Sequence, residues 1–232
     1  MKKAISVLAA VLSIFIISGC NQTSDGDLPL LDNNNREALE RILAESRSID
    51  ELYYEEVPQN ILFSGGLRTE NSTRVWMKGN VLKTEHVTNF FKDDELLYSE
   101  TAGEIFNYDS FSKIRYYSGP YPEQAKNYYS RQEDSLNIPR NQTILWYLDR
   151  ITPDINSIRE ITLGEDRCLR VEILKNNFGS TEVWISLESG LPLKIITTYN
   201  NNSSVREYHN FQIGPGSVSD DLLAIPPGAI RI

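Results

Sequence analysis

The chain has 232 residues, with 23 basic against 32 acidic side chains and a formal charge of −9. That acid excess argues against nucleic acid as a partner and against an electrostatic grip on anionic lipid headgroups. The length suits a single domain with a sizeable core, and two cysteines are too few for a disulfide framework.

At the N-terminus, Lys2 and Lys3 precede an apolar run over residues 4–17, followed by Ser18, Gly19 and Cys20. A membrane-spanning helix needs about 20 apolar residues, so this run reads as a signal peptide. Its end, Ile17-Ser18-Gly19-Cys20, resembles the bacterial lipobox, in which the cysteine thiol accepts a diacylglyceryl group before cleavage. Cys20 is therefore the expected lipidation site, and its palmitate-type acyl chains the expected anchor at the outer face of the cell membrane. Each buried methylene contributes about 0.8 kcal/mol, and two or more chains anchor stably where one is marginal. The reading divides the chain into a signal peptide (1–19), a lipidated tether (20–35) rich in Asn, Asp and Gly, and one domain (36–232).

The domain is expected to open with a helix. Asn34 and Glu37 have capping-box spacing, and Leu39, Ile42, Leu43 and Ile49 fall near one face. Aromatic and β-branched segments follow at 52–57, 73–85 and 104–117, with Gly65-Gly66 as a turn. Residues 122–135 have helical composition, and Ile144, Leu145, Leu148 and Ile151 share a helical face before Pro153. Strands resume at 158–163, 168–174, 181–186, 193–199 and 205–213. Their short turns dictate an antiparallel meander, because parallel neighbours need long crossovers. In the second of these strands Cys168 alternates with Leu169, Val171 and Ile173, which makes it a small strand residue on the opposite face. The pattern describes an α+β, mostly β fold, a curved antiparallel sheet whose open side the helices cover.

The segment Val183-Trp184-Ile185-Ser186-Leu187-Glu188-Ser189-Gly190-Leu191-Pro192-Leu193-Lys194 resembles the strand-turn-strand of the LolA/LolB-like lipoprotein superfamily. Trp76-Met77-Lys78-Gly79-Asn80 is similar to that family's second strand, and residues 222–230 to its closing segment. The resemblance implies an unclosed β-barrel of about eleven strands with a helical lid around an apolar cavity. It further implies a binder rather than an enzyme. A lipobox departs from the soluble carriers of the family, since a fixed anchor cannot shuttle cargo. The composition leans toward the GerS-like germination-lipoprotein branch of spore-forming Gram-positive bacteria, whose relative of this size supports a cortex-trimming muramoyl amidase.

Catalytic constellations are not evident. His86 and His209 lie far apart without Cys, Asp or Glu at metal-ligand spacing. No G-x-S-x-G elbow, phosphate-binding loop or dinucleotide fingerprint occurs. The acidic pairs Glu55-Glu56, Asp93-Asp94-Glu95, Glu165-Asp166 and Asp220-Asp221 read as solvated, because neighbours on a strand point to opposite faces. Aromatic residues are the remaining signal. Tyr116, Tyr117, Tyr121, Tyr128, Tyr129, Trp146 and Trp184 are the candidate binding residues, centred between the strands and the lid helices. Two functions fit: a regulatory module for an extracytoplasmic protein partner, or a carrier of a lipid, acyl chain or lipoprotein in the cavity. Neither requires a metal or a cofactor.

Overall fold

The computed structural model describes residues 33–121, 123, 139–151, 155–176, 179–200 and 202–232. The signal peptide, Cys20, the tether up to residue 32 and most of the expected helix over 122–135, with Tyr128 and Tyr129, lie outside the described residues. Helix α1 (Asn33–Ser46) is the first described element, and it buries Leu39, Ile42 and Leu43 on one face.

Next come β1 (Glu51–Glu56), β2 (Gln59–Leu62), β3 (Leu67–Lys78), β4 (Val81–Lys92), β5 (Glu95–Asn107) and β6 (Ser112–Ser118). A 3-10 turn (Pro139–Gln142) leads into the short helix α2 (Leu145–Asp149). The chain continues through β7 (Ile155–Leu163), β8 (Asp166–Asn176), β9 (Gly179–Ser186), β10 (Pro192–Tyr199) and β11 (Asn202–Ile213). A second 3-10 turn (Asp220–Leu223) then precedes β12 (Ile230–Arg231).

Among the described residues, twelve strands form one antiparallel sheet in the order β12-β6-β5-β4-β3-β1-β11-β10-β9-β8-β7, with β2 paired to β3 beside this path. Two meanders, β3 to β6 and β7 to β11, are joined through β1, which pairs with β3 on one side and β11 on the other. The edges β12 and β7 do not meet, so the curved sheet stays open.

The first meander corrects the expected strand limits. Residues 73–85 are not one strand but parts of β3 and β4, joined at Gly79-Asn80, where Gly79 has φ +53°. A two-residue hairpin needs that left-handed backbone, which costs glycine least. Residues 104–117 likewise divide into β5 and β6 around a turn with Phe111 at φ 48°. The Asp93-Asp94 pair is itself a hairpin turn with φ of 49° and 66°, and Gly65-Gly66 also sits at positive φ.

We call the face that carries the helices the inner face. In the second meander, Ile158, Val171, Val183 and Ile195 form one row across β7 to β10, at 2% exposure or less. Helix α1 packs on β7 and α2, and α2 packs on β10. Leu39, Ile42, Leu145, Leu148 and Ile151 complete the core with these strand residues. Each Å² of apolar area buried here contributes about 25 cal/mol to the fold.

The outer face of the first meander is held differently. Lys83 and Glu85, 4% and 6% exposed, pair at 3.1 Å. The Tyr116 hydroxyl donates to Glu85 at 2.6 Å, and Lys83 Nζ lies 5.0 Å from the centre of the Trp76 ring. Gly103 makes room for this arrangement, since a Cβ there would fall 2.0 Å from Tyr116 Cζ. The C-terminal segment then covers the cluster. Lys83 Nζ donates to the carbonyls of Leu222 and Ala224 at 2.8 and 3.0 Å, and Glu51 accepts the amides of Gly216 and Val218. Strand β12 finishes the strap by pairing with Tyr116 and Tyr117 of β6.

Candidate functional site

On the inner face of the first meander the row pattern changes from aliphatic to polar. Val75 of β3 pairs with Thr84 of β4, which pairs with Glu104 of β5. One step along, Thr73 pairs with His86. Across β1, Tyr54 and Glu56 lie beside Tyr208 and Arg206 of β11. Residues 141–144, Trp146 and Tyr147 face this surface from the helical connection. Between the two walls lies a cleft of about 540 Å³, mid-range for small-molecule sites, which span about 300–1,000 Å³.

Its two carboxylates are paired with cations. Glu104 takes Lys113 Nζ at 3.1 Å and Arg115 Nε at 3.1 Å. Arg206 lies 4.0 Å from Glu56 and donates to the Tyr147 hydroxyl. His86 Nδ1 is 3.2 Å from Thr73 Oγ1. Burial holds the imidazole below its ordinary value, against the pull of Glu56 and Glu104, so at neutral pH it is an uncharged hydrogen-bonding group. Tyr54 and Tyr208 meet edge to face at 5.6 Å, and burial raises both phenols well above their usual range. Among the described residues, no group of three His, Cys, Asp or Glu side chains is arranged to hold a metal ion.

Of the candidate aromatics, Trp146 lines this cleft, half-buried, with the Arg150 guanidinium 4.1 Å from its ring centre and Tyr147 edge-on at 4.8 Å. Tyr116 is wholly buried in the outer-face cluster. Tyr117 points the other way, 2% exposed, and donates to Glu100 at 3.0 Å; burial and that bond push its phenol up to about 12. Tyr121 is 48% exposed and meets the ring of Tyr98 edge-on at 5.4 Å. Trp184 lies opposite the core residues Val183 and Ile185, beside Lys194 at 5.4 Å. Cys168 is on the outer side of β8, as alternation dictates, and is completely buried there, which pushes its thiol up.

Sequence reasoning did not single out His86, Glu56, Glu104, Tyr54, Arg206 or Tyr208 as site residues. A signal for them exists. Thr84 and His86 continue the inner phase begun by Leu82, and Glu104 shares the phase of Phe106, so polar side chains occupy positions that alternation assigns to a core.

No family model and no curated protein matches the chain. Among solved structures, it is similar to a DUF1329 family protein from Desulfovibrio piger ATCC 29098, at 11% identity and a TM-score of 0.34, over 82% of this chain and 96% of that one.

Proposed function

We propose that the chain is a membrane-anchored lipoprotein, acylated on Cys20, whose LolA-like domain is a non-enzymatic regulatory module for an extracytoplasmic protein partner. In this reading α1 and α2 form the lid of the unclosed barrel. The partner is a cell-wall hydrolase, a cortex amidase acting in spore germination, as expected for the GerS-like branch. The lipobox supports the anchor, and cleft carboxylates already engaged by cations support a binding role.

The observation that carries the choice between partner and lipid is the filled inner face of β7 to β10. The aliphatic row there is already covered by α1 and α2, leaving a cleft whose aliphatic lining, among the described residues, is Val75 and Ile144. An acyl chain in that cleft would strip water from carboxylate, guanidinium and imidazole groups and give no hydrogen bond in return. A protein surface can supply those bonds.

Pull-down with the full chain from sporulating cells is expected to recover an amidase in stable complex, and recovery of no protein would count against the reading. Replacing Cys20→Ala is expected to release the chain from the membrane fraction. Native mass spectrometry showing a co-purified acyl ligand would favour the lipid carrier instead.

A further inference from the structure

We infer that the free end of the first meander is a membrane-docking wedge, whose β2–β3 hairpin enters the surface of the bilayer to which the lipobox ties the chain. The docking depends on the Cys20 anchor of the proposed function and adds to it the side of the domain that meets lipid. Two turns lie together at this end, residues 63–66 between β2 and β3 and Asp93-Asp94 between β4 and β5. They are joined where the Asp93 amide donates to the Gly66 carbonyl at 3.0 Å. Apolar side chains stand out from both faces of the sheet there. Leu62, Arg68, Phe91 and Leu96 are paired in one row across β2 to β5. Ile61, Thr69, Phe90 and Tyr98 form the next row, which by alternation faces the other side. Leu62 and Leu96 are exposed on one face, Ile61 on the other, and Phe63 at the turn. A partner protein covers a patch from one side, whereas a bilayer surrounds whatever enters it, so an apolar wedge with two wet faces matches lipid.

Charge sets the depth and the lipid. No ionisable side chain occurs between Glu56 and Arg68, a stretch that holds all of β2 and its turn. Arg68 lies over the Phe91 ring at 4.0 Å and 3.5 Å from Glu70, with Asp94 at 3.8 Å. The neighbouring turn carries Lys92, Asp93, Asp94 and Glu95, all exposed, one basic against three acidic. That turn stays among the headgroups while the uncharged hairpin beside it goes deeper, and its acid excess suits a zwitterionic surface and repels an anionic one. The tether permits the contact. Ile42 and Ser46 of α1 lie beside Gly190 of the β9–β10 turn, at the end of the sheet opposite the wedge. The tether therefore joins the domain at the other end of that helix, about 20 Å away. Residues 21–32 reach up to about 40 Å when extended.

The test places a thiol-reactive fluorophore on the full, acylated chain at Leu62→Cys and, separately, at Phe111→Cys. Phe111 is exposed in the β5–β6 turn, at the other end of the meander and roughly 35 Å away. Cys168 is completely buried, so the label goes to the introduced thiol. The chain is reconstituted in phosphatidylcholine vesicles that contain a brominated quencher lipid. Quenching at position 62 should exceed that at position 111 at least about fivefold, as expected for side chains at the headgroup–acyl boundary. Adding Ile61→Asp and Phe63→Asp should bring it down to the level at 111, with an unchanged melting temperature and with the chain still held on the vesicles. Exchanging phosphatidylcholine for phosphatidylglycerol should weaken it. Equal quenching at the two positions of an anchored chain overturns the wedge and leaves the anchor standing. A chain without acyl mass that does not sediment with vesicles overturns the anchor instead. The Cys20→Ala chain at millimolar phosphatidylcholine then decides the wedge by the same comparison: quenching at 62 and not at 111 upholds it, and quenching at neither overturns it.

Discussion

Along one row of the sheet, Ile158, Val171, Val183 and Ile195 succeed one another across β7, β8, β9 and β10, and the next residue in that row, on β11, is Arg206. The corresponding row on the other meander reads Val75, Thr84, Glu104, Arg115. The two halves share antiparallel pairing, and they differ in what they point inward. Where the inward residues are aliphatic, helices cover them. Where they are polar, they line a cleft, and cohesion comes from the other face through Lys83, Glu85, Tyr116, Trp76 and the C-terminal strap. One sheet thus separates the task of holding the fold from the task of presenting a site.

The largest expected effect attacks the outer-face anchor of the polar half. Glu85→Leu leaves Lys83 buried without its carboxylate, and removing one partner of such a pair costs about 3–5 kcal/mol. Lys83→Met combined with Glu85→Leu should regain most of that loss, because the uncompensated charge is gone. Urea unfolding of the two variants measures both; a double variant as unstable as the single one would mean that the cluster acts through shape and not charge.

On the aliphatic half, Leu148→Ala removes a side chain that is 2% exposed in the core between α2 and the sheet. The cost should be about 2–5 kcal/mol, against under about 1 kcal/mol for Thr84→Ala at the polar cleft wall. Equal losses at the two positions would erase the proposed division between halves.

A smaller effect distinguishes the halves by pH. His86 is held below its ordinary value of about 6.5 by burial. The unfolded chain therefore binds more protons than the folded one between the folded and unfolded values, and stability rises with pH across that window. The contribution is complete above about 6.5 and is lost as pH falls toward the folded value. Melting temperature should drop between pH 7.5 and pH 5, and His86→Gln should flatten that part of the profile. An unaltered profile in the variant would assign the slope to other groups.

The aliphatic half was legible from sequence because one face of each strand is buried and the other wet, which is the condition that produces alternation. Its five strands and their turns follow from that pattern. The polar half lost the signal for the same reason in reverse. In β3, Arg68, Glu70, Asn71 and Ser72 are polar on both faces, and β2 is exposed throughout, so neither face marks itself as core. The Tyr116-Tyr117 pair shows a further limit. Consecutive strand positions do put one ring on each side, yet both rings are buried, because the strap that covers Tyr116 arrives from residues more than a hundred positions later. Trp146 was legible as an aromatic on a short amphipathic helix. Its companions His86 and Glu104 were not, because only the pairing register brings them together beneath it.

The smallest expected effect lies at the tip of the polar half, and it separates a solvent-facing end from a covered one. Leu62 is 77% exposed on β2, with Phe63 and Leu67 beside it at 52% and 43%. Antiparallel pairing of Phe63 with Leu67 turns the backbone of Leu62 away from β3. Nothing on the helix-covered side of the sheet depends on this residue, so Leu62→Ser should alter stability by no more than about 0.5 kcal/mol in dilute protein. The check is a pair of urea titrations at protein concentrations a hundredfold apart. A loss above about 1 kcal/mol that appears only at the higher concentration would mean that an associating chain covers the tip, since only a partner bound to the native state makes stability depend on concentration. A small and concentration-independent change would leave the tip uncovered in solution, as expected of a membrane-facing end.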